Sequence, residues 1–282
     1  MAKHNRRKLN LLERELPEGL LVDAAWLAKH DFSTSLRSQY VTAGRLEQPA
    51  HRVYRRPRGS LNWQQVVISL QTLLEYPLVV GGRSALELHG FAHYLSENVR
   101  EVHLYGPKPP PTWLRNLSVG VRFVYHNDRK LFRHELVSNY FSKRGRGTAM
   151  GSSKAPDQKS TSFTTQRWGQ WDWSFVLSTP ERAILELLDE LPARESFHQV
   201  DMLMGGLSNL GPNRLQKLLA DCKNVKVKRL FFFFADRHRH AWLKHLDKKK
   251  VDLGAGKRTL EKGGKLNRRY QITVPEELSG LQ

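Results

Sequence analysis

The order of short elements in residues 21–58 constrains this chain more than any other feature. Leu21, Ala24, Ala25, Leu27 and Ala28 recur at helical spacing, so residues 21–30 are expected to form a short amphipathic helix. His30-Asp31-Phe32 makes the turn, and Ser33 follows as an N-cap whose hydroxyl oxygen accepts from the free N–H groups of the next helix. That helix is expected to reach Ala43, with Leu36, Tyr40 and Ala43 on its inner face and Gly44 closing it in the left-handed conformation. Beyond it, Leu46 and Val53-Tyr54 are strand-like positions separated by Gln48-Pro49-Ala50, with Arg45, His51, Arg52, Arg55, Arg56 and Arg58 interleaved. Helix, turn, helix and basic hairpin in this order describe a winged helix-turn-helix, whose second helix enters the DNA major groove.

The side chains suit that geometry. Short hydroxyls and arginines contact base edges and phosphates, and hairpin arginines contact the backbone or the adjacent minor groove. The expected DNA contacts are therefore Thr34, Ser35, Arg37, Ser38, Thr42 and Arg45 around the second helix, with Arg52, Arg55, Arg56 and Arg58 in the hairpin. The charge balance agrees: 46 Lys and Arg against 27 Asp and Glu give +19, which excludes an acidic module and points to a polyanionic partner. A merely solvated basic surface is the plainer alternative, but the charge is one-sided at the ends. Residues 1–60 carry 12 basic and 6 acidic side chains and residues 221–282 carry 16 and 7, whereas residues 181–220 carry 4 and 6.

Further along, residues 5–15 alternate charge and leucine like a short helix that stops at Pro17-Glu18-Gly19. The composition breaks at Arg58-Gly59-Ser60, so the expected division is a DNA-binding unit at 1–60 and a larger mixed α/β unit at 61–282. The fold class is then α+β, with a helical C-terminal section. In the second unit a helix is expected at 63–74, a strand at 78–80, a helix at 83–90, and half-buried strands at 99–105 and 119–125. Residues 142–162 lack apolar period and are expected to be a mobile loop. A strand over 168–177 follows, then helices at 181–191, 197–207, 212–220 and 227–246 and a last strand at 269–274.

Catalytic motifs are weaker. Val79 to Leu88 reads strand, Gly-Gly, helix, a turn that leaves N–H groups for a phosphate and that nucleotidyltransferases use. Such enzymes also need paired carboxylates for metal on the following strand. Arg100-Glu101-Val102-His103-Leu104 offers Glu101 alone, so a structural turn is favoured over a degenerate nucleotidyltransferase. Gly254 to Thr259 lacks phosphate-loop spacing, and His238, His240 and His245 lack the i, i+4 pairing of a helical zinc site. No catalytic residue, metal or cofactor is expected. The single cysteine, Cys222, forms no intramolecular disulfide and reads as a packed thiol in a reducing setting. The longest apolar stretch, Leu230 to Ala235, is too short to span a membrane and reads as core, and a cytoplasmic location is expected.

Several segments in order resemble the AbiEi-type transcriptional regulators, antitoxins of type IV toxin–antitoxin systems. They include Val53-Tyr54-Arg55-Arg56-Pro57, Gly81-Gly82-Arg83-Ser84-Ala85-Leu86-Glu87-Leu88-His89-Gly90, Ala92-His93-Tyr94-Leu95, Ser178-Thr179-Pro180-Glu181-Arg182-Ala183 and Tyr270-Gln271-Ile272-Thr273-Val274-Pro275. The resemblance implies an N-terminal domain that binds operator DNA and represses its own operon. It also implies a C-terminal domain that opposes a nucleotidyltransferase-like toxin encoded beside it, without direct contact being required. One departure concerns the wing: where the family often has glycine before the Val-Tyr pair, this chain has Arg52.

Overall fold

The computed structural model describes residues 2–91, 100–143, 162–169 and 173–279. The loop expected at 142–162 lies almost wholly outside them, as does the segment Ala92 to Leu95. Helix α1 (Ala2–Glu15) buries Leu12 and leads into the buried Leu16, Leu20, Leu21 and Val22. Residues 21–23, expected as the first turn of a helix, are instead strand β1 (Leu21–Asp23). Their backbone pairs antiparallel with β3 (Val53–Arg55), Val22 opposite Tyr54, so long-range pairing overrides the local helical spacing. Helix α2 (Ala24–Lys29) then starts where Asp23 caps it, the carboxylate accepting from Trp26 N at 2.8 Å.

Helix α3 (Thr34–Thr42) starts as the sequence expects, Ser33 Oγ accepting from Leu36 N, and Gly44 closes it at φ +67°. Tyr40 is buried and Leu36 half-buried, while Ala43, expected inside, is exposed. Strand β2 (Glu47–Ala50) contains the Gln48-Pro49-Ala50 expected as the hairpin turn. The turn is His51-Arg52, one step later, and Pro49 fits because β2 is an edge strand in the order β1-β3-β2. Arg52 takes the left-handed φ of +61°, where a glycine would be unstrained.

Helix α4 (Trp63–Thr72) ties this unit to the remainder. Ser69 Oγ accepts from Leu21 N, and the Gln71 amide donates to Leu78 O and Val176 O and accepts from Val176 N. One contiguous apolar core runs through both units. The second sheet has the order β6-β5-β4-β8-β7. Its members are β4 (Val79–Val80), β5 (Glu101–Gly106), β6 (Arg122–Asn127), β7 (Phe163–Arg167) and β8 (Ser174–Ser178). The segment expected as one strand at 168–177 is thus largely β8, paired antiparallel with β7.

Helices α5 (Gly82–Leu88), α6 (Leu136–Lys143) and α7 (Pro180–Asp189) pack on this sheet and its rim, followed by α8 (Phe197–Gly206), α9 (Pro212–Asp221) and α10 (Val225–His238). Helix α10 ends eight residues before the expected 246 because Arg239 turns left-handed, φ +52°, and a 3-10 turn, Ala241–His245, follows. Phe231, Phe232 and Phe234 are fully buried, as the sequence implies. Cys222 is buried too, and desolvation pushes its thiol to about 11, which fits an inert packed side chain. A two-stranded sheet, β9 (Lys265–Asn267) with β10 (Ile272–Val274), completes an α+β fold: a winged helix unit, then a larger mixed α/β unit with a helical C-terminal section. Among the described residues no helix is long and apolar enough to cross a membrane.

Parallel pairing of β5 and β6 brings His103 Nδ1 within 2.9 Å of His126 Nε2, and His126 Nδ1 within 3.0 Å of Glu190. Burial, with the neighbouring His126, lowers His103 from 6.5 to about 4. The unfolded chain therefore takes up this proton near 6.5 while the folded chain resists it until about 4. Within that window the unfolded state binds more protons, so stability rises with pH. Urea unfolding of the full chain is expected to weaken on acidification through this window, His103 contributing up to about 3 kcal/mol. In His103→Gln that dependence should be visibly flatter; identical pH profiles for the two proteins contradict the assignment.

Candidate nucleic-acid interface and a filled glycine turn

Burial of Tyr40, with Leu36 half-buried beside it, turns the opposite side of α3 to solvent. Thr34, Ser35, Ser38 and Thr42 are all exposed there, and Ser35, Ser38, Gln39, Thr42 and Ala43 line one shallow hollow. Gln39 was not among the expected contacts. Its signal is the spacing 35, 39, 42, which places it between Ser35 and Thr42 on one helical face, and its amide can pair with an adenine edge. Arg37 is held closer to the protein. Its Nε donates to Phe32 O at 3.0 Å, and its Nη2 donates to Thr34 Oγ1 at 3.3 Å, bracing the turn between α2 and α3. Arg45 is exposed beyond the helix, its guanidinium 5.8 Å from the Tyr40 ring centre.

The hairpin arginines divide into two groups. Arg52 is exposed at the tip, and its carbonyl accepts from Ala24 N at 2.8 Å, pinning the turn to the start of α2. Arg55 is only 6% exposed, its Nε donating to Glu47 at 2.5 Å across the hairpin and its Nη2 to Gly59 O. Arg56 turns back on α1, donating to Leu16 O and, at 2.9 Å, to Glu18 Oε1. Arg58 lies 3.7 Å from the same carboxylate. The structure thus gathers Thr34, Ser35, Ser38, Thr42, Arg45 and Arg52 at the surface, while Arg55, Arg56 and Arg58 make ion pairs within the protein. The turn position decides this: with His51-Arg52 at the tip, Glu47 falls opposite Arg55.

The glycine turn is occupied by the chain itself. Gly82 N donates to Glu186 Oε2 at 2.9 Å, the place a phosphate oxygen would take at such a turn. Glu186 also accepts from Ser178 Oγ and, at 2.7 Å, from Arg182 Nε. Burial raises its carboxyl above the ordinary range, with the Arg182 guanidinium drawing it back. The glycines are there for close approach: a Cβ on Gly81 would sit 2.3 Å from Glu186 Oε2 and 2.5 Å from the Tyr105 ring. Gly82 has φ +53°, and a Cβ on it would meet Tyr105 Oη at 2.8 Å. On β5, Glu101 pairs with Arg122. Among the described residues no three His, Cys, Asp or Glu side chains are grouped to hold a metal ion.

Comparison with known proteins bears on both units. Residues 5–97 match a family model described as the N-terminal domain of the AbiEi antitoxin, a transcriptional regulator. Residues 99–275 match one described as transcriptional regulator, AbiEi antitoxin, type IV toxin–antitoxin system. Among solved structures, the RV2827C protein from Mycobacterium tuberculosis is similar with a TM-score of 0.53 and 14% identity, over 95% of this chain and 89% of that one. That likeness is one of fold. Among curated proteins, none matches.

The two groups of hairpin arginines separate in a stability measurement. Arg55→Ala leaves Glu47 and the Gly59 carbonyl without their donor and is expected to cost about 1–3 kcal/mol in urea unfolding. Arg52→Ala, at an exposed tip, is expected to change stability by less than about 0.5 kcal/mol. Equal effects would contradict the inward assignment of Arg55.

Proposed function

Because the chain belongs to the AbiEi antitoxin family of transcriptional regulators of type IV toxin–antitoxin systems, we propose that it is a sequence-specific repressor of its own operon. In the same reading it is the antitoxin to a nucleotidyltransferase-like toxin encoded beside it. The observation that carries the DNA part is the exposed polar face of α3, where Thr34, Ser35, Ser38, Gln39 and Thr42 form an uninterrupted row without a carboxylate. Hydroxyls and an amide at that spacing read base edges, and Arg45 and Arg52 at its margins meet phosphates. Arg55 and Arg56 act indirectly by fixing the wing against α1 and β2, and Arg37 by fixing the entry to α3.

Residues 1–60 are assigned to DNA recognition and residues 61–282 to antitoxicity, which needs no stable complex with the toxin. The carboxylate of Glu186 in the glycine turn supports a non-catalytic second unit, since the N–H that would hold a phosphate is already bound. DNA binding in this reading is electrostatic in strength and local in specificity.

The experiment uses the full chain with Ser35, Ser38 and Gln39 all changed to alanine. Against duplex DNA from upstream of its own gene and a scrambled duplex, the wild type is expected to discriminate, with affinity falling steeply as salt rises. The triple variant should keep the salt dependence and lose the discrimination. Co-expressed with the neighbouring toxin it should still restore growth. Retained discrimination would contradict the role of α3, and lost rescue would contradict the separation of the two activities.

A further inference from the structure

Strand β6 closes one end of the five-stranded sheet. Arg122 N donates to Arg100 O, so in the parallel ladder Arg122, Val124 and His126 spend their backbone groups on β5. The N–H and C=O groups of Phe123 and Tyr125 then point away from the sheet, and among the described residues no partner meets them. The 3-10 turn Thr112–Asn116 packs against β6 without pairing to it. Free edges are ordinarily guarded by charge, proline, a bulge or brevity. This one runs six residues in unbroken register, and its centre reads Phe123-Val124-Tyr125. Beside it lies a hollow of about 480 Å³ lined by Glu101, Arg122, Phe123, Val124, Tyr125 and Arg194. The two arginine side chains are 75% and 58% exposed, whereas the carboxylates at hand are engaged: Glu101 holds Arg122, and Glu190 holds His126 and Arg194. Lys130 carries the same sign past the end of the strand.

We propose that the outer edge of β6 takes an extended, acidic segment of a partner protein as an added strand, with carboxylates of that segment seated in the hollow beside Arg122 and Arg194. The unpaired groups decide the class of partner. Phe123 and Tyr125 offer carbonyl acceptors as well as N–H donors, and a second polypeptide backbone supplies the complement of both. A phosphodiester has acceptors alone and would leave the carbonyls unpaired. Charge then decides the kind of segment. Alternate side chains of a strand face the same way, so carboxylates two residues apart both meet the side on which the arginines stand. A second copy of this chain is disfavoured, since β6 laid against β6 brings Arg122 and Lys130 of both copies to one junction. The site lies in the second unit and uses none of the α3 face, so it stands whether or not the DNA reading does.

Amide hydrogen exchange of the full chain, read with and without a short peptide that alternates Val and Glu, tests this. Exchange is expected to slow across residues 122–127. In fluorescence anisotropy a peptide alternating Val and Lys should bind several-fold more weakly, and so should an equally acidic peptide of Gly and Glu, which keeps the charge and loses the strand preference. Phe123→Pro removes one outward N–H and leaves the bonds to β5 in place, so it should weaken binding of the Val–Glu peptide several-fold. Arg194→Glu should erase the preference for Glu over Lys while a strand still binds. If Phe123→Pro fails to fold, the exchange measurement on the wild type decides alone. No binding of the Val–Glu peptide, slowing confined to other segments, or equal binding of all three peptides overturns the proposal. So does slowing at 122–127 by a scrambled duplex in place of the peptide, which would make the edge a nucleic-acid surface. A wild-type dimer that Phe123→Pro dissociates would assign the edge to a second copy and overturn it as well.

Discussion

The buried pair of Arg182 and Glu186 organises the second unit. Both side chains are fully buried one turn apart on α7, joined at 2.7 Å. Glu186 reaches across to Gly82 N and takes the Ser178 hydroxyl, while the Arg182 guanidinium lies between the Phe132 and Phe163 rings at 4.4 and 4.7 Å. One ion pair therefore fixes α7, the β4-α5 turn, the end of β8 and the segment around Phe132. Removing Arg182 would leave the Glu186 carboxylate in a dry interior without its cation, which costs about 3–5 kcal/mol in comparable cases, whereas Arg182 keeps a second buried carboxylate, Asp128, at 3.7 Å. The same contact gives the glycine turn its chemistry: a site that could bind an external anion binds an internal one, and the turn becomes structural.

From this base the fold extends toward the wing through α4. Ser69 and Gln71 are two residues apart on a buried helix, and they bond to different sheets, Ser69 to the start of β1 and Gln71 to β8 and the residue before β4. Buried amide and hydroxyl groups with satisfied partners hold a specific orientation, since slipping either would leave polar groups unpaired. The winged unit is thus seated on the second unit by hydrogen bonds as well as apolar contact. That seating sets Arg52 beside the turn bearing Trp113 and Arg115.

Much of this architecture was legible in the sequence where local chemistry decides. Ser33 and Gly44 bracket α3 because capping is a matter of neighbouring residues. The Phe231 to Phe234 run is core because four adjacent aromatics leave a helix no dry-free face. What escaped was decided at long range. Leu21 and Val22 have helical spacing with Ala25, yet a strand thirty residues on claims them. Pro49 suggests a turn, yet at an edge it lies within a strand. The shift of that turn to His51-Arg52 sets Glu47 across from Arg55 and, with Glu18 beside Arg56, withdraws both arginines from the surface. Gln39, by contrast, was readable from spacing alone but is neither a short hydroxyl nor an arginine, the two types that drew attention to its neighbours. The glycine turn looked like a structural element for want of a carboxylate pair, and the deeper cause, Glu186, lies a hundred residues further along the chain.

In the proposed function the exposed face of α3 meets base edges in a major groove. Methylation protection at guanine N7, alongside hydroxyl-radical cleavage of the sugar backbone, tests it most directly on the DNA upstream of the protein's own gene. The expected result is N7 protection in the major groove flanked by backbone protection, with the N7 signal lost in the Ser35, Ser38 and Gln39 triple variant while backbone protection persists. Backbone protection alone in the wild type, or an N7 pattern unaltered by the variant, would contradict it.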